Sequence, residues 1–77
     1  MSAPKDRVTI HVDPHEHGWQ VQAAFWRGSK VHERGHATYF ASPWKAREAA
    51  ERKVQHRLAA GRVCVLVLSP EAQEATR

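Results

Sequence analysis

The 77 residues, of which 42% are hydrophobic and 26% charged, predict one globular domain with an ordered core of about residues 7–69 and mobile polar ends. No run approaches the roughly 20 apolar residues of a membrane span, and the first residues lack the apolar core of a secretion signal. A single cysteine excludes an intramolecular disulfide and is typical of a reducing compartment. We therefore expect a cytoplasmic protein without a membrane partner.

Positive charge is concentrated in the middle of the chain. The formal net charge is +4, yet residues 27–62 carry nine Lys and Arg residues against three Glu residues, a local charge of +6. Such concentration favours attraction to a polyanion. An ordinary solvated helix face has the same composition and is the alternative.

Two stretches of alternating residues predict a β-hairpin. Residues 7–12 and residues 19–26 alternate with a period of two, as half-buried strands do. Residues 13–18 connect them with turn chemistry, since proline fixes φ and Gly18 permits a positive φ. The short connection favours antiparallel pairing. Alternation places Trp19 in the core and Trp26 on the opposite face.

The segment after the hairpin is polar and basic. Residues 27–30 break the alternation, and residues 31–37 are predicted to form a protruding loop, with a strand continuing through Val31 as the alternative. Residues 38–41 predict a short third strand that leads directly into a helix.

Residues 42–61 predict the only long helix. Ser42 can cap its first turn, Pro43 follows where a missing N–H is harmless, and Gly61 can take the left-handed conformation that ends a helix. Its apolar stripe, expected to face the sheet, consists of Ala46, Ala50, Val54 and Leu58. Leu58→Asp is therefore expected to unfold the domain, because a buried unpaired charge costs several kcal/mol.

Residues 62–69 predict a fourth strand, since the run is apolar, β-branched and too short for a second helix. Both of its faces are apolar: Val63, Val65 and Val67 form one, and Cys64, Leu66 and Leu68 form the other. One helix covers only one of them. The polar residues from position 70 onward are predicted to fray or to add a turn of helix.

The predicted fold is therefore α+β with the order β-β-β-α-β. An antiparallel three-stranded meander carries one helix packed on one face, and the fourth strand completes the sheet. The alternative is that residues 62–69 pair with a second molecule.

The hairpin and the helix resemble a known family. The motif consists of His11-Val12-x-Pro14-x-x-x-Gly18-Trp19-x-Val21, then a capped helix with Ala46 and Ala49-Ala50, then an apolar strand. Over about residues 8–68 it is similar to the bacterial domain-of-unknown-function 2188 family. The resemblance implies the fold and a small domain, and it implies no activity.

A looser similarity connects the chain to the three-strand-plus-helix DNA-binding domains of phage integrases and plant AP2 factors. Those domains also carry an aromatic-rich hairpin, a basic loop and a capped helix. Their sheet enters the major groove, so the similarity implies DNA binding through the sheet.

Catalysis and metal chemistry have little support in the sequence. Cys64 lies in an apolar run without a neighbouring base, so no enzyme is predicted. His11, His15 and His17 are ligand types for Zn²⁺ or Ni²⁺, but there is no second cysteine and no four-ligand spacing. No metal site or cofactor is predicted, and metal binding by these histidines stays open.

The leading hypothesis is a non-catalytic nucleic-acid-binding module of low specificity. The residues expected to contact phosphates are Arg27, Lys30, Arg34, Lys45, Arg52 and Arg57. Glutamine, tryptophan and histidine can read or stack on bases. The sheet face that could do so carries Arg7, Thr9, His11, Gln20, Gln22 and Trp26. The sequence does not choose between DNA and RNA.

The alternative hypothesis is a protein-interaction or homodimerisation module. Its predicted interface is the uncovered apolar face of the last strand, with Trp26, Val65 and Leu66 as the named residues. Of Val65→Lys and Leu66→Lys, the change that points away from the helix should disrupt association, and the other should unfold the protein.

Overall fold

A computed structural model describes residues 6–77, so the lead-in predicted to be mobile lies mostly outside the described residues, at 1–5. Within residues 6–77 the chain forms five strands and two helices. In chain order they are β1 (Asp6–His15), β2 (Gly18–Arg27), β3 (Lys30–Arg34), β4 (Thr38–Phe40), α1 (Pro43–Ala59), β5 (Cys64–Leu68) and α2 (Pro70–Ala75).

The strands form one mixed open sheet with the spatial order β3-β2-β1-β5. β1 and β2 pair antiparallel along their whole length, from Asp6 opposite Arg27 to His15 opposite Gly18. β4 pairs with the start of β2, and β5 pairs parallel with β1. The predicted α+β class, with one main helix packed against the sheet, is confirmed.

Part of the predicted loop at residues 31–37 is a strand, and that part of the prediction was wrong. β3 pairs antiparallel with β2, with a register shift between Phe25 and Trp26, and all five of its residues are exposed. An edge strand with water on both faces shows no apolar alternation, so its polarity resembles that of a loop.

β1 also continues through Pro14, where a turn was predicted. The Val8 N–H donates to the Val63 carbonyl at 3.1 Å, and the Ser69 N–H donates to the Val12 carbonyl at 3.1 Å. The backbone groups of even-numbered β1 residues therefore point toward β5. Pro14 has the same orientation but lies beyond the end of β5, so its missing N–H leaves no ladder bond unmade.

α1 begins and ends as predicted. The Ser42 hydroxyl accepts a hydrogen bond from the Lys45 N–H at 3.4 Å. At the other end Gly61 has a φ of +76°. Its N–H donates to the Leu58 carbonyl and the Arg62 N–H to the Arg57 carbonyl, both at 3.0 Å, which is a Schellman closure.

The core lies between α1 and one face of the sheet. Ile10, Val12 and Val21 are its largest fully buried side chains, and Ala46 and Ala50 bring the helix close to them. Small residues suit this close approach, because a larger side chain would hold the backbones apart.

Leu58 does not belong to this core, and its assignment to the buried stripe was wrong: it is 48% exposed. Steps of four residues advance about 40° around a helix of 3.6 residues per turn. Three such steps from Ala46 turn Leu58 about 120° away. Arg57 takes the sheet-facing position instead, with its guanidinium 5.1 Å from the centre of the Phe25 ring.

The residues after β5 form α2, which packs on the rest of the fold, although the sequence places them outside the ordered core. The Ser69 hydroxyl accepts from the Ala72 N–H at 3.1 Å and caps the helix. Ala72 is fully buried and Thr76 is only 2% exposed. From α1, Arg47 Nη1 donates to both the carbonyl and the hydroxyl of Thr76, each at 3.0 Å.

Arg47→Met is expected to lower the free energy of unfolding by about 1–2 kcal/mol, because a charged donor is lost while the alkyl stem is kept. Urea unfolding measures this change, and faster amide exchange in α2 locates it. Glu51→Gln is the control, since it removes only an exposed ion pair with Arg47 at 3.5 Å. It should change stability by less than about 0.5 kcal/mol. Equal effects of the two changes would contradict the docking role of Arg47.

Candidate nucleic-acid interface

A groove lies between α1 and the part of the sheet formed by β2, beside the segment that leads from β3 to β4. Its floor is apolar and consists of Ile10, Val21, Ala23 and Phe25. Its helix-side wall and lower end carry Arg52, Lys53, His56, Arg57 and Arg62. Gly35, His36 and Thr38 contribute to the opposite side, and the volume is about 990 Å³. We call this feature the basic groove.

The lining of the basic groove includes no Asp or Glu among the described residues. Spacings of three and four explain why the helix places its cations here, since Ala49, Arg52, Lys53 and His56 share one stripe beside the buried one. Glu51 lies elsewhere on the helix and pairs with Arg47. The cations of the groove thus have no carboxylate in its lining, an arrangement that favours an anionic ligand.

Only two of the six predicted phosphate contacts, Arg52 and Arg57, line the basic groove. Arg27 and Lys30 lie at the β2–β3 turn, where they face each other in the register. Lys45 belongs to the first turn of α1. The remaining residue, Arg34, is opposite Ala24 on the other side of the sheet.

Lys53 and Arg62 also line the basic groove, and the sequence prediction missed both. Lys53 follows Arg52 and lies four residues after Ala49, so a helical projection could have found it. No sequence pattern indicates Arg62, because it reaches the groove only through the Schellman closure at the end of α1.

The sheet face directed away from α1, which we call the open face, carries a hydrogen-bonded chain. The Trp26 indole N–H donates to the Thr9 hydroxyl oxygen at 2.8 Å. That hydroxyl oxygen lies 2.6 Å from His11 Nε2. Because the indole can only donate, the hydroxyl accepts from it and can donate its own proton to the imidazole. The Arg7 guanidinium lies over the Trp26 ring at 4.8 Å.

The two glutamines of the open face are also engaged. Gln20 Nε2 donates to Gln22 Oε1 at 3.2 Å, and Gln22 Nε2 donates to the Gly35 carbonyl at 2.9 Å. The residues predicted to read bases therefore share one face, as expected, but they bind one another. Their polar groups are less free to bind a ligand than those of the basic groove.

β5 places its two apolar sets on opposite faces. Cys64, Leu66 and Leu68 face the helix and pack in or against the core. The exposed set is Val63, Val65 and Val67, at 50%, 50% and 37% exposure. Of the predicted interface residues, Val65 thus points away from α1 and Leu66 toward it. Trp26 lies on the open face in β2, with β1 between it and the valines.

The structure places the histidines of the turn and the single cysteine in different surroundings. Within residues 6–77, no three His, Cys, Asp or Glu side chains converge as a metal site would require. His11 contacts Thr9, whereas His15 lies against the Tyr39 ring at 4.7 Å. Burial raises the pKa of the Cys64 thiol, which the nearby Arg57 opposes, so the thiol is protonated at neutral pH.

The basic groove is the most promising site, because it joins concentrated cations to an apolar floor in which Ala23 and Phe25 are only partly buried, whereas Ile10 and Val21 belong to the closed core. In the part of the chain that the structure describes, no helix is long and apolar enough to cross a membrane. Comparisons with protein-family models, with curated proteins and with solved structures find no match, so the family resemblance of the hairpin motif stays a prediction.

Proposed function

We propose that this protein is a non-catalytic nucleic-acid-binding module that holds a single-stranded segment in the basic groove. One observation supports the proposal above all: Arg52, Lys53, Arg57 and Arg62 surround an apolar floor, and the groove's lining includes no described carboxylate. A ligand that fits must combine repeated negative charge with flat apolar groups. Nucleic acid has both properties, in its phosphates and its bases.

The apolar floor favours a single strand over a duplex. In a duplex the bases are stacked inside and the phosphates lie on a convex surface, so only the rim of the groove would be contacted. A single strand can place an unstacked base against the Arg57 guanidinium, which lies over the Phe25 ring and offers a flat cationic surface for stacking. Its phosphates then lie near Arg52 and Lys53.

Low sequence specificity follows from the same contacts. Cations that contact phosphates carry no sequence information, and stacking tolerates every base. DNA and RNA are both possible ligands. A cytoplasmic location, where the lone Cys64 would stay reduced, is part of the proposal.

Fluorescence anisotropy with labelled oligonucleotides tests the proposal. Single-stranded DNA, single-stranded RNA and duplexes of equal length are titrated at several salt concentrations. We expect single strands to bind best at low salt, with a logarithmic salt slope of about −2 to −3, since each neutralised phosphate contributes about 0.7. Absence of binding at low salt would rule the function out. If polyglutamate bound equally tightly, the protein would attract anions in general and would not be a nucleic-acid-binding module.

Matched charge variants locate the binding site. Arg52→Gln combined with Lys53→Gln is expected to weaken binding about tenfold at low salt and to reduce the magnitude of the slope by about 1.4, twice the contribution of one phosphate. The control, Arg34→Gln combined with Lys45→Gln, removes the same charge from positions outside the groove. It should have a much smaller effect. If both pairs weaken binding equally, net charge rather than the groove is responsible.

A further inference from the structure

The two edges of the sheet differ in their protection against further pairing. β3 carries Lys30, Glu33 and Arg34 and lies beside the register shift in β2. Charged residues and irregular pairing are the usual devices that prevent a sheet edge from adding another strand. β5 has the sequence CVLVL, without a charge or a proline, and pairs on one side with β1 only. One edge is protected, and the other is open.

The backbone groups on the open edge can be assigned. The Val63 carbonyl and the Ser69 N–H both bond to β1, so the odd-numbered residues of this segment point their backbone groups inward. The N–H and carbonyl groups of Cys64, Leu66 and Leu68 therefore point outward, and of these the Leu68 carbonyl already accepts a hydrogen bond from Gln73 Nε2 at 3.1 Å. Within residues 6–77 no strand pairs with that side of β5.

We propose that β5 is a homodimer interface, in which it pairs antiparallel with β5 of a second copy about a two-fold axis at Leu66. In this register Leu66 faces Leu66 of the second copy, and Cys64 faces its Leu68. The outward N–H and carbonyl groups then meet complementary groups, as in the hydrogen-bonded pairs of an antiparallel ladder. The Leu68 carbonyl, which already accepts from Gln73, accepts from Cys64 of the second copy with its other lone pair. The two sheets become one continuous sheet with no open β5 edge.

The side chains and charges favour a second copy as the occupant. The register brings Val65 of each copy opposite Val67 of the other, which forms two apolar cross-strand pairs on the open face. A chain with a charge of +4 can approach its own copy here, because the strand is uncharged.

The proposed dimer is compatible with the basic groove but does not depend on it. The groove lies on the β2–β3 side of the molecule, so two copies joined at β5 would present two grooves at opposite ends. The dimer can be measured without nucleic acid. Failure of the dimer and failure of nucleic-acid binding are therefore separate results.

Sedimentation equilibrium combined with amide exchange tests the interface in the wild-type protein. We expect a monomer–dimer equilibrium with a dissociation constant on the order of micromolar, as befits a small interface. In the dimer the Leu66 amide should be protected as well as its neighbours Val65 and Val67, which bond to β1. A monomer at every concentration would overturn the proposal. So would a dimer in which the Leu66 amide exchanges freely.

Two valine-to-lysine variants, one on each edge of the sheet, test the interface. Val65→Lys is expected to weaken dimerisation about tenfold or more, because both cross-strand valine pairs are lost and the two lysines become diagonal neighbours of like charge on the open face. The control is Val31→Lys on the protected edge, where the valine is also exposed. It should dimerise like the wild type. Both variants should keep the wild-type circular dichroism spectrum, and undiminished dimerisation of a folded Val65→Lys protein would overturn the proposal.

Discussion

Ala50→Asp is expected to unfold the domain. Ala50 is fully buried between α1 and the sheet, beside the largest core side chains. An unpaired carboxylate there costs several kcal/mol, and its added volume strains a tightly packed contact. A domain of this size has a total stability of roughly 4–11 kcal/mol. One such change can therefore remove most of it, and circular dichroism and NMR dispersion would both report the loss.

The matched control for this prediction is Leu58→Asp on the same helix. Leu58 is 48% exposed, so a carboxylate at that position stays hydrated. We expect a folded protein whose free energy of unfolding changes by about 1 kcal/mol or less. If Leu58→Asp unfolded the protein and Ala50→Asp did not, the face of α1 that packs on the sheet would be the one that carries Leu58.

The parts of the fold that local sequence determines could be predicted. The hairpin alternates with a period of two, and the helix has Ser42 before it and Gly61 after it, so each signal lies within its own element. β3 could not be predicted in this way. Its strand state depends on pairing with β2, and its own residues, all exposed, carry no periodic pattern.

The sequence could not predict that α2 forms or that Leu58 is exposed, and the two reasons are related. The sequence leaves open whether residues 70–76 form a helix, and the contact that fixes them comes from Arg47, which is 29 residues away from Thr76. Leu58 matched an i, i+4 pattern that rotates around the helix. Both outcomes depend on tertiary geometry that local patterns do not contain.

The sequence could predict that the candidate site is positively charged, but not where on the fold it lies. The segment 27–62 was identified as basic, and the basic groove lies largely within it. Its residues converge only because the helix crosses the sheet and leaves β2 partly uncovered. Arg34 and Lys45 carry the same charge as the groove residues, yet they lie elsewhere. Sequence composition therefore supports the ligand class, whereas the fold is needed to select the contacts.

Gly18→Ala is expected to destabilise the domain by about 2 kcal/mol or more, the range for forced overpacking. The sequence suggested that Gly18 is needed for a positive φ, but the described glycines with positive φ are Gly28 and Gly61. Space is the reason instead. A Cβ on Gly18 would overlap the backbone carbonyl of Phe40, which cannot move without disturbing the pairing of β4 with β2.

Two measurements separate this steric effect from a general cost of removing glycine. Urea unfolding of Gly18→Ala is compared with that of Gly35→Ala, whose added Cβ would lie 3.5 Å from the Ala23 Cβ in an ordinary contact. Gly35→Ala should leave stability unchanged or slightly higher, because alanine restricts the unfolded chain. Amide exchange should also accelerate at Phe40, which faces Trp19, in the Gly18 variant alone, since β4 must shift away from β2. Equal stability of the two variants would mean that Gly18 and Phe40 are not in close contact.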